Sequence, residues 1–380
     1  MGGAKTKMGT LDTQDLLLRG LESSEEDRLF SNHAPGSRGG GPMDEKERAL
    51  DLCKLCQVWG LQGVIRMEAG FEIIKCDFSE SLEQIQVLQR PDPSTREGHR
   101  EALGNFEYMR GVAARYQGIG SSRTVIDYSS MVSAFFFPIN LTNTDPSRPD
   151  LPRLSSTSAA ELVAIKSYLD AVVGERKDQA IRTIDWQDIS DLIVGRYADR
   201  IQYMAQKVTS VDIMVAEVNF LLDLYIDYSE KPQPDLSAAI QRCTNFYLQS
   251  IVPLTESDHL LQAAFTSVSS KICTSLFEIR QLVQGDQAGE ESPLEASVRA
   301  AADLMHVLGW SRFKQCSGCD VDMVCLIPMW PFGSVDNYYN PHCTNGSDAH
   351  HGGSYWEGPG RGNGPPPRMT ERWTPWAPWL

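Results

Sequence analysis

Four cysteines near the C-terminus, Cys316, Cys319, Cys325 and Cys343, are the residues of this chain best placed to do chemistry. As thiolates they would form a four-sulfur zinc site. As oxidised pairs they would be two disulfides. As buried thiols they would be packing groups. The spacing favours cross-links. Cys316-Ser-Gly-Cys319 is half of a zinc knuckle, but Cys325 and Cys343 lie 18 positions apart and do not form the second half. His342, His350 and His351 are the alternative ligands nearby. A bridge within Cys316-x2-Cys319 closes too small a loop to organise the segment. The expected pairing therefore joins Cys316 or Cys319 to Cys325, and the other to Cys343. Much of the surrounding sequence is Gly, Pro and aromatic, which suits neither a long helix nor a regular strand. Trp330, Phe332, Tyr338 and Tyr339 are costly to leave in water, so this cap is expected to fold back near Met305 and Trp310.

The chain has nine cysteines, so at least one is unpaired unless it bonds another chain. Cys243 and Cys273 fall on consecutive expected helices that antiparallel packing would bring together. Cys53-Lys-Leu-Cys56 falls well inside an expected helix. A redox Cys-x2-Cys opens a helix after a strand, where the helix N-terminus lowers the thiol pKa, so this pair reads as structural. Two sequons, Asn140-Leu-Thr142 and Asn345-Gly-Ser347, are candidate N-glycosylation sites.

Carboxylate spacing offers a second chemistry. Asn219, Asp223 and Asp227 are spaced i, i+4, i+8. Asp185, Asp188 and Asp191 are spaced i, i+3, i+6 on the preceding helix. Acidic groups facing each other across a bundle hold Mg2+ for a diphosphate substrate. The first triplet resembles the second metal motif of class I terpenoid synthases. That resemblance implies a Mg2+-dependent enzyme of fungal secondary metabolism acting on an isoprenoid diphosphate, with Asp188, Asn219, Asp223 and Asp227 as catalytic residues. The chain departs from it by lacking Asp-Asp-x2-Asp and by bringing the triplets too close in sequence. The competing reading is a solvated stripe plus carboxylates that suit a helix N-terminus. No Gly-x-Ser-x-Gly, P-loop or dinucleotide fingerprint is present. On the non-enzymatic reading no cofactor is expected. On the alternatives it would be Mg2+ at the carboxylates or Zn2+ at the four cysteines.

A net charge of -15 argues against nucleic acid, whose binding needs a basic footprint. It also disfavours an anionic membrane surface. No apolar run is long enough for a transmembrane helix. The first residues do not read as a signal peptide, which would suit a cytoplasmic protein. Met1-Gly2-Gly3-Ala4-Lys5-Thr6 matches the myristoylation pattern, and a single acyl chain on Gly2 would anchor only marginally.

The elements that must position these residues are mostly helical. The fold expected is mainly α: a helical bundle with a small β-containing N-terminal part and an irregular Cys-rich C-terminal cap. Residues 1–43 read as a mobile leader, 44–156 as the α+β part, 157–310 as the bundle, 311–356 as the cap and 357–380 as a disordered tail. Helices are expected over 44–59, 100–117, 158–173, 185–208, 210–228, 235–250, 256–284 and 293–308. A strand is expected over 71–78, and the segments at 124–128 and 135–137 read as strand-like or buried. Ser158 with Glu161, and Asp185 with Asp188, occupy capping-box positions. The 210–228 helix is apolar around much of its circumference and is expected at the centre of the bundle.

Several segments are similar to a set of hypothetical proteins from filamentous fungi. These are Val125-Ile-Asp-Tyr-Ser-Ser-Met-Val-Ser-Ala-Phe-Phe-Phe-Pro-Ile-Asn-Leu-Thr-Asn143, Ser147-Arg-Pro-Asp-Leu-Pro-Arg-Leu154, Arg196-Tyr-Ala-Asp-Arg200 and Cys325-Leu-Ile-Pro-Met-Trp-Pro-Phe-Gly333. The resemblance spans about residues 50 to 356. It implies a fungal glycoprotein of a family without assigned activity, secreted or luminal, and it carries over no catalytic residue and no partner.

Overall fold

The computed structural model describes residues 45–67, 71–79, 81–88, 126–142, 157–177, 183–229, 234–285, 292–314, 316, 318–326 and 340–345. The chain divides into two compact units. One comprises residues 1–110, 140–162 and 318–380; the other comprises 111–139 and 163–317. The fold is mainly α, with a small β-containing N-terminal part.

In the first unit, helix α1 (Glu45–Trp59) packs on a hairpin of β1 (Gly63–Met67) and β2 (Phe71–Lys75). The hairpin register pairs Val64 with Ile74 and Ile65 with Ile73. Strand periodicity then sorts the faces: Val64 and Ile74 are half-buried, whereas Ile65 and Ile73 are exposed. Gly60, at φ 66°, ends α1 where a side chain would be strained. The Leu61 N–H then returns to the Cys56 carbonyl at 2.8 Å. The C-terminal part of this unit holds a second hairpin, β3 (Val324–Leu326) with β4 (His342–Thr344). No strand pattern was legible there. The four aromatic residues between these strands lie outside the described residues, as does the expected helix 100–117.

The second unit is the bundle. Helix α2 (Ala159–Lys177) leads into it, followed by α3 (Trp186–Gln206), α4 (Val211–Leu222), α5 (Leu236–Asn245), α6 (Glu256–Gln284) and α7 (Pro293–Leu308). Both expected N-terminal caps form. The Glu161 N–H donates to Ser158 Oγ at 3.3 Å, and the Asp188 N–H donates to the Asp185 carboxylate at 3.0 Å. At α7, Gly309 takes a left-handed φ of 54° and closes the helix on the Met305 carbonyl.

The long helix α6 is the hub, packing on α4, α5 and α7. This corrects the expectation that the 210–228 helix is central. Met214, Val218, Leu221 and Leu222 of α4 are fully buried, but Ile213, Phe220 and Leu224 reach solvent. Phe220 is covered on its outer side by the guanidinium groups of Arg196 and Arg200, 4.8 and 3.7 Å from its ring centre.

The same helix is also shorter than expected. It ends at Leu222 and tightens into a 3-10 turn, Asp223–Tyr225, before Ile226 turns extended. The turn buries Tyr225 and Ile226 together, and the Arg242 Nε–H donates to the Tyr225 carbonyl at 2.7 Å. Residues Tyr128–Ser130 and Ala134–Phe136 are likewise 3-10 turns rather than strand. Their serines bond locally and so compete with a strand ladder. Ser133 Oγ accepts from the Phe135 N–H, and Ser130 Oγ donates to Asp127.

Candidate functional site

Eight of the nine cysteines are disulfide-bonded, and Cys56 is the free one. Within the first unit, Cys53 on α1 is joined to Cys76 just past β2, with Cα atoms 5.4 Å apart. Also within it, Cys319 is joined to Cys343 on β4, again with Cα atoms 5.4 Å apart. Within the bundle, Cys243 on α5 is joined to Cys273 on α6. Cys316 and Cys325 are also in disulfide form. The sulfurs of Cys316, Cys319 and Cys343 lie within 4.8 Å of one another, and because a disulfide sulfur offers no thiolate charge, zinc there would require the bonds to be reduced. The Cys53–Cys76 bond was not legible in the sequence. Spacing along the chain singles out Cys56 as the neighbour of Cys53, whereas the hairpin brings a residue 23 positions away beside it. Cys56 is buried, and burial pushes its thiol pKa up, which makes it a poor nucleophile.

The carboxylates of the acidic triplets are held apart. Because α4 ends at Leu222, Asn219, Asp223 and Asp227 do not share a helix face. Asn219 Oδ1 accepts from Arg280 Nε at 3.2 Å and Gln284 Nε2 at 3.0 Å. Asp223 accepts from the Tyr228 hydroxyl at 2.7 Å. Asp227 closes a turn on Ser229, and that bonding holds its carboxyl below the usual range. On α3, Asp185 is the N-cap and Asp191 accepts from Gln187. Among the described residues, no three carboxylates converge as a metal site would require.

The polar centre of the bundle is elsewhere, at Asp258. Its side chain is fully buried in the first turn of α6. One carboxylate oxygen accepts from the Ser129 hydroxyl at 2.6 Å and the Trp186 indole N–H at 2.8 Å. The other accepts from the backbone N–H groups of Leu254 and Thr255, each at 3.1 Å. Burial alone would raise this pKa; the donors from Ser129, Trp186, Leu254 and Thr255 outweigh it and hold the group below the usual carboxylate range. The fastening extends outward. The Thr255 and Ser257 hydroxyls donate to the Ser129 and Met131 carbonyls, at 2.8 and 2.6 Å. Ser129 Oγ accepts from the Ile184 N–H at 3.3 Å. Every partner of Asp258 is thereby committed, so the cluster locks three chain segments together, 129–131, 184–186 and 254–258, and leaves no lone pair for a substrate. Sequence reading missed it, although Thr255-x2-Asp258 has the spacing of a capping box.

Two further features belong to the surface. A shallow apolar groove of about 220 Å³ runs between α3 and α6, lined by Ile193, Val194, Ala264, Phe265 and Val268 with Trp310. Of the candidate glycosylation residues, Asn140 is exposed and Asn345 is half-buried.

The fold and its fastenings define a mainly helical, disulfide-linked protein. Residues 1–98 match a family described as the YPL277C N-terminal domain. Two proteins of Saccharomyces cerevisiae are similar. Uncharacterized protein YOR389W is 23% identical over 405 aligned residues, covering 88% of this chain and 62% of its own length. Uncharacterized protein YPL277C is 34% identical over 92 residues, covering 24% of this chain and 18% of its own. The chain thus spans less than two thirds of the length of either relative. Both are yeast proteins, so the likeness is to uncharacterised proteins of yeast, and the restriction to filamentous fungi finds no support in them. No solved structure matches.

Proposed function

We propose that this chain is a non-catalytic, cross-linked module of a fungal protein of the secretory pathway, luminal or secreted. The observation that carries this reading is the oxidation of eight cysteines against one free thiol. Disulfides at that density form and persist in oxidising compartments and are rare in the cytosol. The acidic groups that would serve an enzyme are instead used as helix caps, turn closures and the buried Asp258 lock. The module's role is then structural: its cross-links hold a stable surface in an oxidising compartment.

The test is the thiol state of protein made from its own gene, upstream region included, in a fungal host. Free thiols are blocked, and the intact mass is compared before and after reduction. A gain of eight hydrogens, with one blocked thiol, is the expected result. A protein with every thiol blocked before reduction would be cytosolic and would overturn the reading.

A further inference from the structure

The two sequons are equivalent as sequence but not as structure, and the difference selects one of them. Asn140 lies in exposed, non-helical chain. Its carboxamide oxygen accepts from the Thr142 N–H at 2.9 Å. This is an Asx-turn, which brings the asparagine and the residue two positions on into one tight loop. The turn engages the oxygen and not Nδ2, the atom that must attack a sugar. Asn345 is placed differently. It is half-buried and directly follows Thr344, which is 3% exposed. The Thr344 hydroxyl donates to the Asn345 carbonyl. Two positions before it, Cys343 is fixed to Cys319 and is paired across the hairpin with Cys325.

We infer that Asn140 is the residue of this chain that carries an N-linked oligosaccharide and that closure of the Cys319–Cys343 hairpin keeps Asn345 unmodified. The inference rests on the secretory reading above. The donor is a lipid diphosphate oligosaccharide. Asn140 Nδ2 forms a bond to the anomeric carbon of the first sugar and loses a proton, while the bond from that carbon to the lipid diphosphate breaks. The Thr142 hydroxyl is the recognition group at the second position after the acceptor, as the sequon chemistry requires. A glycan is bulky and needs open surface, which Asn140 has. The other sequon begins directly after β4: once the disulfide closes, the chain leading into Asn345 is held in the hairpin, which limits how far that asparagine can reach into the transferase.

The experiment appends a secretory leader to the full chain and expresses it in yeast. The leader supplies entry to the lumen whatever the natural route, so failure here is distinct from failure of the localisation reading. Mobility is compared with and without an endoglycosidase specific for N-linked sugars. The wild type should show a single glycan. Asn140→Gln and Thr142→Ala should each lose it, Thr142→Ser should keep it, and Asn345→Gln should leave it unchanged. The double variant Cys319→Ser/Cys343→Ser should gain a second glycan, lost again when Asn345→Gln is added. No glycan on the secreted wild type, or two, would overturn the inference. So would a single glycan that vanishes only with Asn345→Gln, or a double variant that still carries one.

Discussion

Replacing Asp258 by Asn tests the account of the bundle, because the two residues have nearly the same shape and differ in what they can accept. Each carboxylate oxygen takes two donors: Ser129 and Trp186 on one side, Leu254 and Thr255 on the other. An amide has one oxygen and one NH2. If the NH2 faces Trp186, two N–H groups point at each other at 2.8 Å, and only the Ser129 hydroxyl can rotate to accept. If it faces the loop, two backbone N–H groups lose their acceptor. A buried donor left without a partner costs about 1–3 kcal/mol, and a hydrogen bond to a charged group contributes about 1.5–3. Asp258→Asn should therefore destabilise by about 2–4 kcal/mol. Asp258→Ala, which strands all four donors, should cost about 3–5 kcal/mol. Urea titration of the oxidised protein at pH 7, with an unchanged slope, measures both. A loss under about 1 kcal/mol for the Asn variant would refute the claim that the carboxylate is a fully used acceptor.

The pH dependence adds an independent check. The Asp258 pKa is lower in the folded protein than in the unfolded chain. The unfolded chain therefore binds the proton more readily. The resulting stabilisation is fully present above the ordinary carboxylate value, about 3.9, and is lost as pH falls through the folded value. The gap between wild type and Asp258→Asn should accordingly be full at neutral pH and close on acidification below about pH 4. A gap that stays constant into acid would show that the group is not charged in the native state.

Two other expectations follow from the bundle. Leu221 is fully buried, so Leu221→Ala should cost about 2–5 kcal/mol by chemical denaturation, and a loss under about 1 would move α4 to the periphery. Asp188→Asn and Asp223→Asn should leave stability within about 0.5 kcal/mol, since both side chains are exposed. Neither the wild type nor these variants should turn over an isoprenoid diphosphate with Mg2+, and turnover by the wild type that both variants lose would restore the enzyme reading.

Helices were legible wherever local signals were strong. The bounds of α6 and α7 follow from Thr255, Ser292, Pro293 and Gly309, each of which caps or closes the helix it flanks. The end of α4 was not legible, because no glycine or proline marks it. Apolar residues continue through Leu224, Tyr225 and Ile226, and what stops the helix is tertiary: Tyr225 and Ile226 turn into the core, and Arg242 takes the freed carbonyl. The same limit hid the cross-link at Cys53. Its partner depends on how a hairpin folds beside α1, a relation that spacing along the chain does not encode.

Asp258 shows why a local signal can conceal a distant one. As the third residue after Thr255 it explains itself as a capping group, and nothing in its neighbourhood asks for more. Its other oxygen, however, binds Ser129 and Trp186, which are 129 and 72 positions away. Ser129 lies in one of the segments that carry the resemblance to fungal proteins, and another such segment, Arg196–Arg200, is equally structural. There, Arg196 donates to the Phe220 carbonyl, Arg200 pairs with Glu217, and Tyr197 is buried beside Tyr225. In both segments these residues are therefore fastening residues. Residues of this kind specify a way of packing helices, and one such packing is compatible with many different activities. Among the described residues, function is therefore to be sought where this packing leaves the surface free, at the exposed Asn140 and at the apolar groove between α3 and α6.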